Sequence, residues 1–199
     1  MKVYGDYRSG NCYKVQIMLH LLEQRYDWVP VDILKGDTAT AAFLGMNPNG
    51  KIPVLQLEDG HVLWESNAIL HFLAHGTRFL PDDPLLRAQV LQWQFFEQYS
   101  HEPYVAVARF INVYLGLPEE RREEFKAKQA GGYRALEVME QRLSAHPYLV
   151  GDRYTIADIS LYAYTHVAQE GGFELQRFPG IRAWMGRVAS QPGHVEMTT

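Results

Sequence analysis

The sequence predicts an α/β domain followed by an all-α domain. Three observations predict it. Strand-like and helix-like pieces alternate over residues 1–76, a proline- and aspartate-rich break occupies 77–84, and the spacing from Leu85 to residue 199 is almost wholly helical. Bulk properties are compatible with two cores. A chain of 199 residues can bury about 70% of its extended-chain surface. Hydrophobic residues make up 47% and charged residues 21%, which argues against disorder.

Lys2-Val3-Tyr4 is a short strand candidate. Val15, Met18, Leu19 and Leu22 repeat at i, i+3, i+4, i+7, which predicts a helix over Cys12–Gln24. Asp27–Ile33 reads as a strand and Thr38–Gly45 as a short helix closed by glycine. Val54–Leu57 and Val62–Trp64 flank Asp59-Gly60, a hairpin signal. A helix then runs from Glu65 or Ser66 to His75 and stops at Gly76. The order is βαβαββα. A helix joining two strands implies a right-handed parallel unit, to which the hairpin adds antiparallel strands.

Pro81, Asp82, Asp83 and Pro84 make 77–84 a linker. Leu85–Leu115 is one long helix candidate, with a kink or break expected at Pro103, which cannot donate to the carbonyl of Tyr99. Trp93, Phe95, Phe96 and Tyr99 crowd this helix, and most are expected to fill the core. Glu119–His146 is the next helix; its Gly131-Gly132 pair is unfavourable by propensity and points to a close helix crossing. Tyr154-Thr155-Ile156-Ala157-Asp158-Ile159 carries a capping box, Thr155 with Asp158, and a staple, Tyr154 with Ile159. Asp158 is therefore read as structural rather than catalytic. Phe178-Pro179-Gly180 opens a last helix to about Ser190.

Several function classes are excluded at this level. A net charge of −4 without a Lys/Arg cluster argues against nucleic acid and a polybasic membrane tether. No apolar run approaches the roughly 18 residues of a membrane span, and the N-terminus lacks a signal-peptide h-region. A single cysteine, Cys12, rules out an intrachain disulfide and fits a reducing cytoplasm. His71 and His75 are four apart, but no third ligand accompanies them, so no metal is expected.

Three short stretches carry chemistry, each beside a plainer structural reading. Ser9-Gly10-Asn11-Cys12 lies where strand meets helix. A helix start stabilises an anion, and Ser9-x-x-Cys12 has the spacing of a Cys-x-x-Cys redox motif with serine at the attacking position. Serine can donate to a ligand's thiolate, or simply cap the helix. In Asn47-Pro48-Asn49-Gly50-Lys51-Ile52-Pro53-Val54, a cis bond before Pro53 would free the Ile52 backbone to pair with an extended ligand, and Lys51 could meet a carboxylate. The plain alternative is an ordinary turn. In Trp64-Glu65-Ser66-Asn67, Ser66 and the helix amides offer a carboxylate nest and Glu65 an acceptor for an ammonium, or Ser66 is an N-cap.

The combination and order of these stretches resembles the cytosolic glutathione transferases, in particular serine-type bacterial members. The resemblance rests on Ser9, on Lys51-Ile52-Pro53-Val54-Leu55, on Glu65-Ser66-Asn67-Ala68-Ile69 and on Tyr154-Thr155-Ile156-Ala157-Asp158. It covers nearly the whole chain. It implies a thioredoxin-like domain, then a helical domain, and a homodimer. It implies glutathione as co-substrate, with Ser9 activating the thiol, Ile52 pairing with the cysteinyl backbone, cis-Pro53, Glu65 and Ser66 on the γ-glutamyl end, and Lys51 near the glycyl carboxylate. Asn67 stands where several classes carry a basic residue, and Asn11 competes with Ser9 for the thiolate. Tyr7 and the helical triplet Tyr104, Ala108 and Ile111 are the expected lining of a pocket between the domains for a hydrophobic electrophile. The implied activity is transfer of glutathione to electrophiles, with peroxide reduction. A glutathione-dependent disulfide reductase and a non-catalytic scaffold are the alternatives.

Overall fold

The computed structural model describes residues 1–198; Thr199, the end of the helical segment read from sequence, lies outside the described residues. Two compact units are present among the described residues: residues 1–75 together with 192–198, and residues 76–191.

In the first unit, β1 (Lys2–Gly5) alternates exposed and buried side chains. It is followed by α1 (Gly10–Leu21), β2 (Asp27–Pro30), α2 (Ala41–Met46), β3 (Val54–Gln56), β4 (Val62–Trp64) and α3 (Ser66–Ala74). The sheet order is β2-β1-β3-β4. β1 pairs parallel with β2, while β3 is antiparallel to both β1 and β4. This is the predicted βαβαββα order, with the parallel unit and the hairpin both in place. The twofold period of β3 divides the core between the two faces of the sheet. Leu55 packs with Val3, Val15, Leu19 and Ile69, against α1 and α3. Val54 packs with Val31 and Phe43, against α2.

Element boundaries moved for local reasons. α2 starts later than predicted because Thr40 is its N-cap and accepts from the Phe43 amide at 3.3 Å. β2 ends at Pro30 because β1, its parallel neighbour, ends at Gly5. Gly5 is required where it stands: a Cβ there would lie 2.6 Å from Cys12 Sγ.

The second unit contains α4 (Pro84–Phe96), α5 (Glu102–Arg109), α6 (Arg122–Leu143), α7 (Ile156–Thr165) and α8 (Pro179–Ala189). Asp83 caps α4, accepting from the Leu86 amide at 2.8 Å, and Pro84 takes the first turn. Pro103 does not break the chain's helical path. The turn before it, Glu97–His101, widens to a π-helix, and the proline sits in the first turn of α5; a missing donor is tolerated there. The glycine pair in α6 marks a close approach. A Cβ on Gly131 would lie 2.2 Å from the Tyr104 ring, and one on Gly132 would lie 2.3 Å from Phe173.

The stretch 77–84 is not a free linker. Phe79 and Leu80 are buried, the Phe79 carbonyl accepts from the Ile156 amide at 3.0 Å, and Tyr154 meets Phe79 edge-on. Two apolar anchors make this stretch part of the helical unit. Residues 192–198 belong to the first unit: the Tyr13 hydroxyl donates to the Val195 carbonyl at 2.7 Å. The expectation that most of the aromatic cluster on α4 fills the core is overturned. Trp93 and Phe96 are partly buried, while Phe95 is 68% and Tyr99 86% exposed. Val90, Gln94 and Glu97 hold the buried positions of that stretch instead.

Candidate active site

The loop from β1 to α1 is shaped by Asp6. Its carboxylate accepts from the Arg8 amide at 2.8 Å and its carbonyl from the Ser9 amide at 3.0 Å. That turn delivers Ser9, partly exposed, to the N-cap of α1 with extended backbone (φ −79°, ψ 123°). Its Oγ accepts from the Cys12 amide at 3.4 Å. The plain reading of Ser9 as a cap is therefore correct as far as it goes. It does not exclude the chemical one, because a hydroxyl that accepts still has a proton to donate.

Cys12 is fully enclosed. Burial pushes its thiol up to about 12, against the opposing hydrogen bond of Ser9. A thiol so poorly ionised is a packing residue. Tyr7, 41% exposed, stacks on Trp28 with ring centroids 4.4 Å apart.

Asn11 joins the first stretch to the third. Its Oδ1 accepts from Lys14 Nζ at 2.8 Å and from the Ser66 hydroxyl at 3.1 Å, and Lys14 Nζ lies 3.4 Å from Ser66 Oγ. Lys14 is fully buried and Ser66 nearly so. Sequence reasoning missed Lys14. A signal was present: Lys14 is a charged residue inside the run Cys12–Leu19, three residues after Asn11 and so on its helix face.

The second stretch is folded by Asn47, which is buried. Its Nδ2 donates to the Lys51 carbonyl at 2.7 Å, and its Oδ1 accepts from the Asn49 amide at 3.0 Å. Lys51 is exposed, Ile52 partly buried and Pro53 buried, and the Ile52–Pro53 bond is cis. Ile52 precedes the first ladder residue of β3, Val54, by two positions.

Glu65 stands between β4 and α3 at φ +69°, a conformation uncommon outside glycine. Holding a non-glycine residue there costs about 1–3 kcal/mol, and such residues cluster at ligand sites. Its carboxylate is exposed, with Asn49 Nδ2 3.5 Å away. Ser66 is the first residue of α3 rather than its N-cap, and its hydroxyl turns inward to Asn11. His71 lies in α3 and His75 is its C-cap.

The residues read as an electrophile lining fare differently. Ala108 and Ile111 are fully buried, so they line no open pocket and that expectation is corrected. Their shared helical face is real, but it is a core face. Tyr104 is partly exposed, lies over Gly131 and has Lys128 Nζ 5.9 Å from its ring centroid.

Comparison with known proteins bears on the family and the fold. Residues 8–75 match the family of the glutathione S-transferase N-terminal domain, and residues 93–192 that of the glutathione S-transferase C-terminal domain. A crystal structure of a glutathione S-transferase from Pseudomonas fluorescens superposes with a TM-score of 0.98 at 70% identity, covering 100% of this chain and 98% of that one. Glutathione S-transferase F13 of Arabidopsis thaliana is 30% identical, over 100% of this chain and 94% of its own. Disulfide-bond oxidoreductase YfcG of Escherichia coli is 30% identical, over 92% of this chain and 88% of its own.

Proposed function

The chain belongs to the glutathione S-transferase family, and from that premise we propose that it binds glutathione in its first unit and activates the thiol for attack on electrophilic small molecules and peroxides. The observation that carries this reading is the meeting of the α1 start with the α3 start: the Ser66 hydroxyl donates to Asn11 Oδ1 at 3.1 Å and Lys14 Nζ lies 3.4 Å from Ser66 Oγ, with Ser9 at the N-cap of α1 and Glu65 at that of α3. In this assignment Ser9 and Asn11 face the sulfur. Glu65 takes the γ-glutamyl ammonium, and the amides of the α3 start take its carboxylate. The Ile52 backbone pairs with the cysteinyl residue, and Lys51 meets the glycyl carboxylate.

The energetics close without a general base. A free cysteine thiol has a pKa near 8.5, and lowering it by about two units requires roughly 2.7 kcal/mol. One hydrogen bond to a charged sulfur supplies about 1.5–3 kcal/mol, and a helix start about 0.3–1 kcal/mol. The thiol proton leaves to solvent. The thiolate then forms the sulfur–carbon bond as the leaving group departs with its electron pair.

Ser9→Ala is expected to raise the bound thiol's pKa and lower kcat at pH 7, with a much smaller change in glutathione affinity. A pH–rate profile superimposable on the parent's removes Ser9 as activator and leaves Asn11. Trp64, 39% exposed and directly before Glu65, supplies the binding signal: glutathione should change its fluorescence, and Trp64→Phe should abolish that change. Tyr7→Ala and Tyr104→Ala, assayed separately for electrophile KM, test the two remaining candidates for electrophile contact.

The similarity to a disulfide-bond oxidoreductase favours a second reading, glutathione-dependent disulfide reduction. Turnover of an aryl halide supports the transferase. Turnover of a disulfide alone supports the reductase, and retention on immobilised glutathione with no turnover supports a scaffold. A homodimer in the cytoplasm is part of the proposal, supported by the exposed Phe95 and Tyr99 and the lone buried thiol.

A further inference from the structure

We infer that Asn49 is a positioning residue that holds the Glu65 carboxylate toward the γ-glutamyl ammonium of glutathione. A carboxylate oxygen only accepts, so the amide atom 3.5 Å from Glu65 Oε1 is the Nδ2 of Asn49, which donates. Both side chains are exposed. Among the described residues no other side chain bonds or pairs with the Glu65 carboxylate. The Glu65 backbone is fixed at φ +69° by its place at the start of α3. A long carboxylate side chain in water nevertheless keeps its rotamer freedom unless a partner restrains it, and Asn49 is that partner.

The position of Asn49 is itself built. Asn47 is buried beneath the turn, and its Oδ1 accepts from the Asn49 amide at 3.0 Å. The Asn47 carbonyl accepts from the Gly50 amide at 3.0 Å, and its Nδ2 donates to the Lys51 carbonyl at 2.7 Å. Gly50 completes the turn at φ +63°, a conformation glycine adopts without strain. The turn thus sets Asn49 beside a carboxylate 16 residues further along the chain. Its amide occupies one acceptor position on Oε1. The remaining positions, including both on Oε2, stay open to an ammonium, and the carboxylate keeps its charge. An ordered carboxylate binds that ammonium more tightly than a freely rotating one, because the ordering cost is already met.

This inference rests on the proposed glutathione site, and its test separates the two. Calorimetry compares glutathione with glutaryl-cysteinylglycine, which lacks only the γ-glutamyl amino group, on the parent, Asn49→Ala, Glu65→Ala and the double variant. The exposed Asn49 side chain leaves no core cavity on truncation. Asn49→Ala is expected to weaken glutathione about fivefold and to leave the affinity of the analogue unchanged. The glutathione KM should rise while kcat at saturating glutathione stays at the parent's value, since nothing at the sulfur is altered. The double variant should match Glu65→Ala alone, because Asn49 then has no carboxylate to hold. An unchanged glutathione affinity in Asn49→Ala overturns the inference. So does an equal loss for the analogue, which marks a damaged turn, and so does an effect of Asn49→Ala that persists without Glu65. Each of these leaves the glutathione site standing. A parent that binds the analogue as tightly as glutathione removes Glu65 from the ammonium and this inference with it, and a parent that binds neither removes the site.

Discussion

Asp158 shows how much a single buried residue can organise. One carboxylate oxygen accepts from the Leu149 amide at 3.0 Å and Trp184 Nε1 at 2.9 Å, and the other from the amide and hydroxyl of Thr155 at 2.9 and 3.1 Å. Asp158→Asn places an NH2 where two donors point, and is expected to cost about 3 kcal/mol in a denaturant melt. Burial nevertheless raises this carboxyl to about 6, above its ordinary 3.8. The native state therefore holds the proton more tightly than the unfolded chain. The resulting stabilisation is complete below the unfolded value and is lost as pH rises through about 6. The stability gap between parent and Asp158→Asn should widen as pH falls from about 7 to about 4, by up to roughly 3 kcal/mol; a constant gap contradicts this. Cys12 allows a second prediction at this scale. Its burial denies a resolving thiol to any cysteine introduced in place of Ser9. Ser9→Cys, given glutathione disulfide, should therefore exchange with it to a mixed disulfide, releasing one glutathione as thiolate and seen by mass spectrometry, and should form no intramolecular disulfide to Cys12.

At the scale of elements, α6 is built around its two glycines. Alanine in place of glycine gains about 1 kcal/mol of helix propensity, but a Cβ at 132 would meet the buried Phe173 ring at 2.3 Å. Overpacking of that kind costs about 1–3 kcal/mol. Gly132→Ala should lower the melting temperature despite its better propensity. Gly131→Ala should be milder, because Tyr104 is partly exposed and its ring can swing away. Equal or stabilising effects at both sites would mean that the close approach is not a constraint. The π-turn before Pro103 is also an element-scale result. Sequence marks the missing donor but not its accommodation, since widening a turn depends on the neighbours that pack around it.

At the scale of the whole molecule, exposed aromatics on α4 and the turn after it carry the proposed self-association. Phe95 and Tyr99 keep most of their surface in solvent within one chain, and Leu91 is exposed on the same helix. Sedimentation at micromolar concentration should give about twice the chain mass of 22.9 kDa. Phe95→Glu with Tyr99→Glu should shift it toward the single-chain mass. A parent that sediments as one chain refutes the dimer.

The order of elements, the parallel unit and the hairpin, the capping box at Thr155 and Asp158, and the three stretches proposed for the site are all legible in the residues alone. Each depends on local spacing, which backbone geometry translates directly into structure. What depends on which surfaces meet is settled by packing. Ala108 and Ile111 have the same helical spacing whether they face a pocket or a core, and burial alone shows that they are core. Phe79 and Leu80 turn a proline-rich break into part of the helical unit because they have a core to enter. The contact of Lys14 with Ser66 was illegible for the same reason. Two partners of Lys14, Asn11 and Ser66, are 55 residues apart in the chain and become neighbours only when α1 and α3 pack side by side on one face of the sheet.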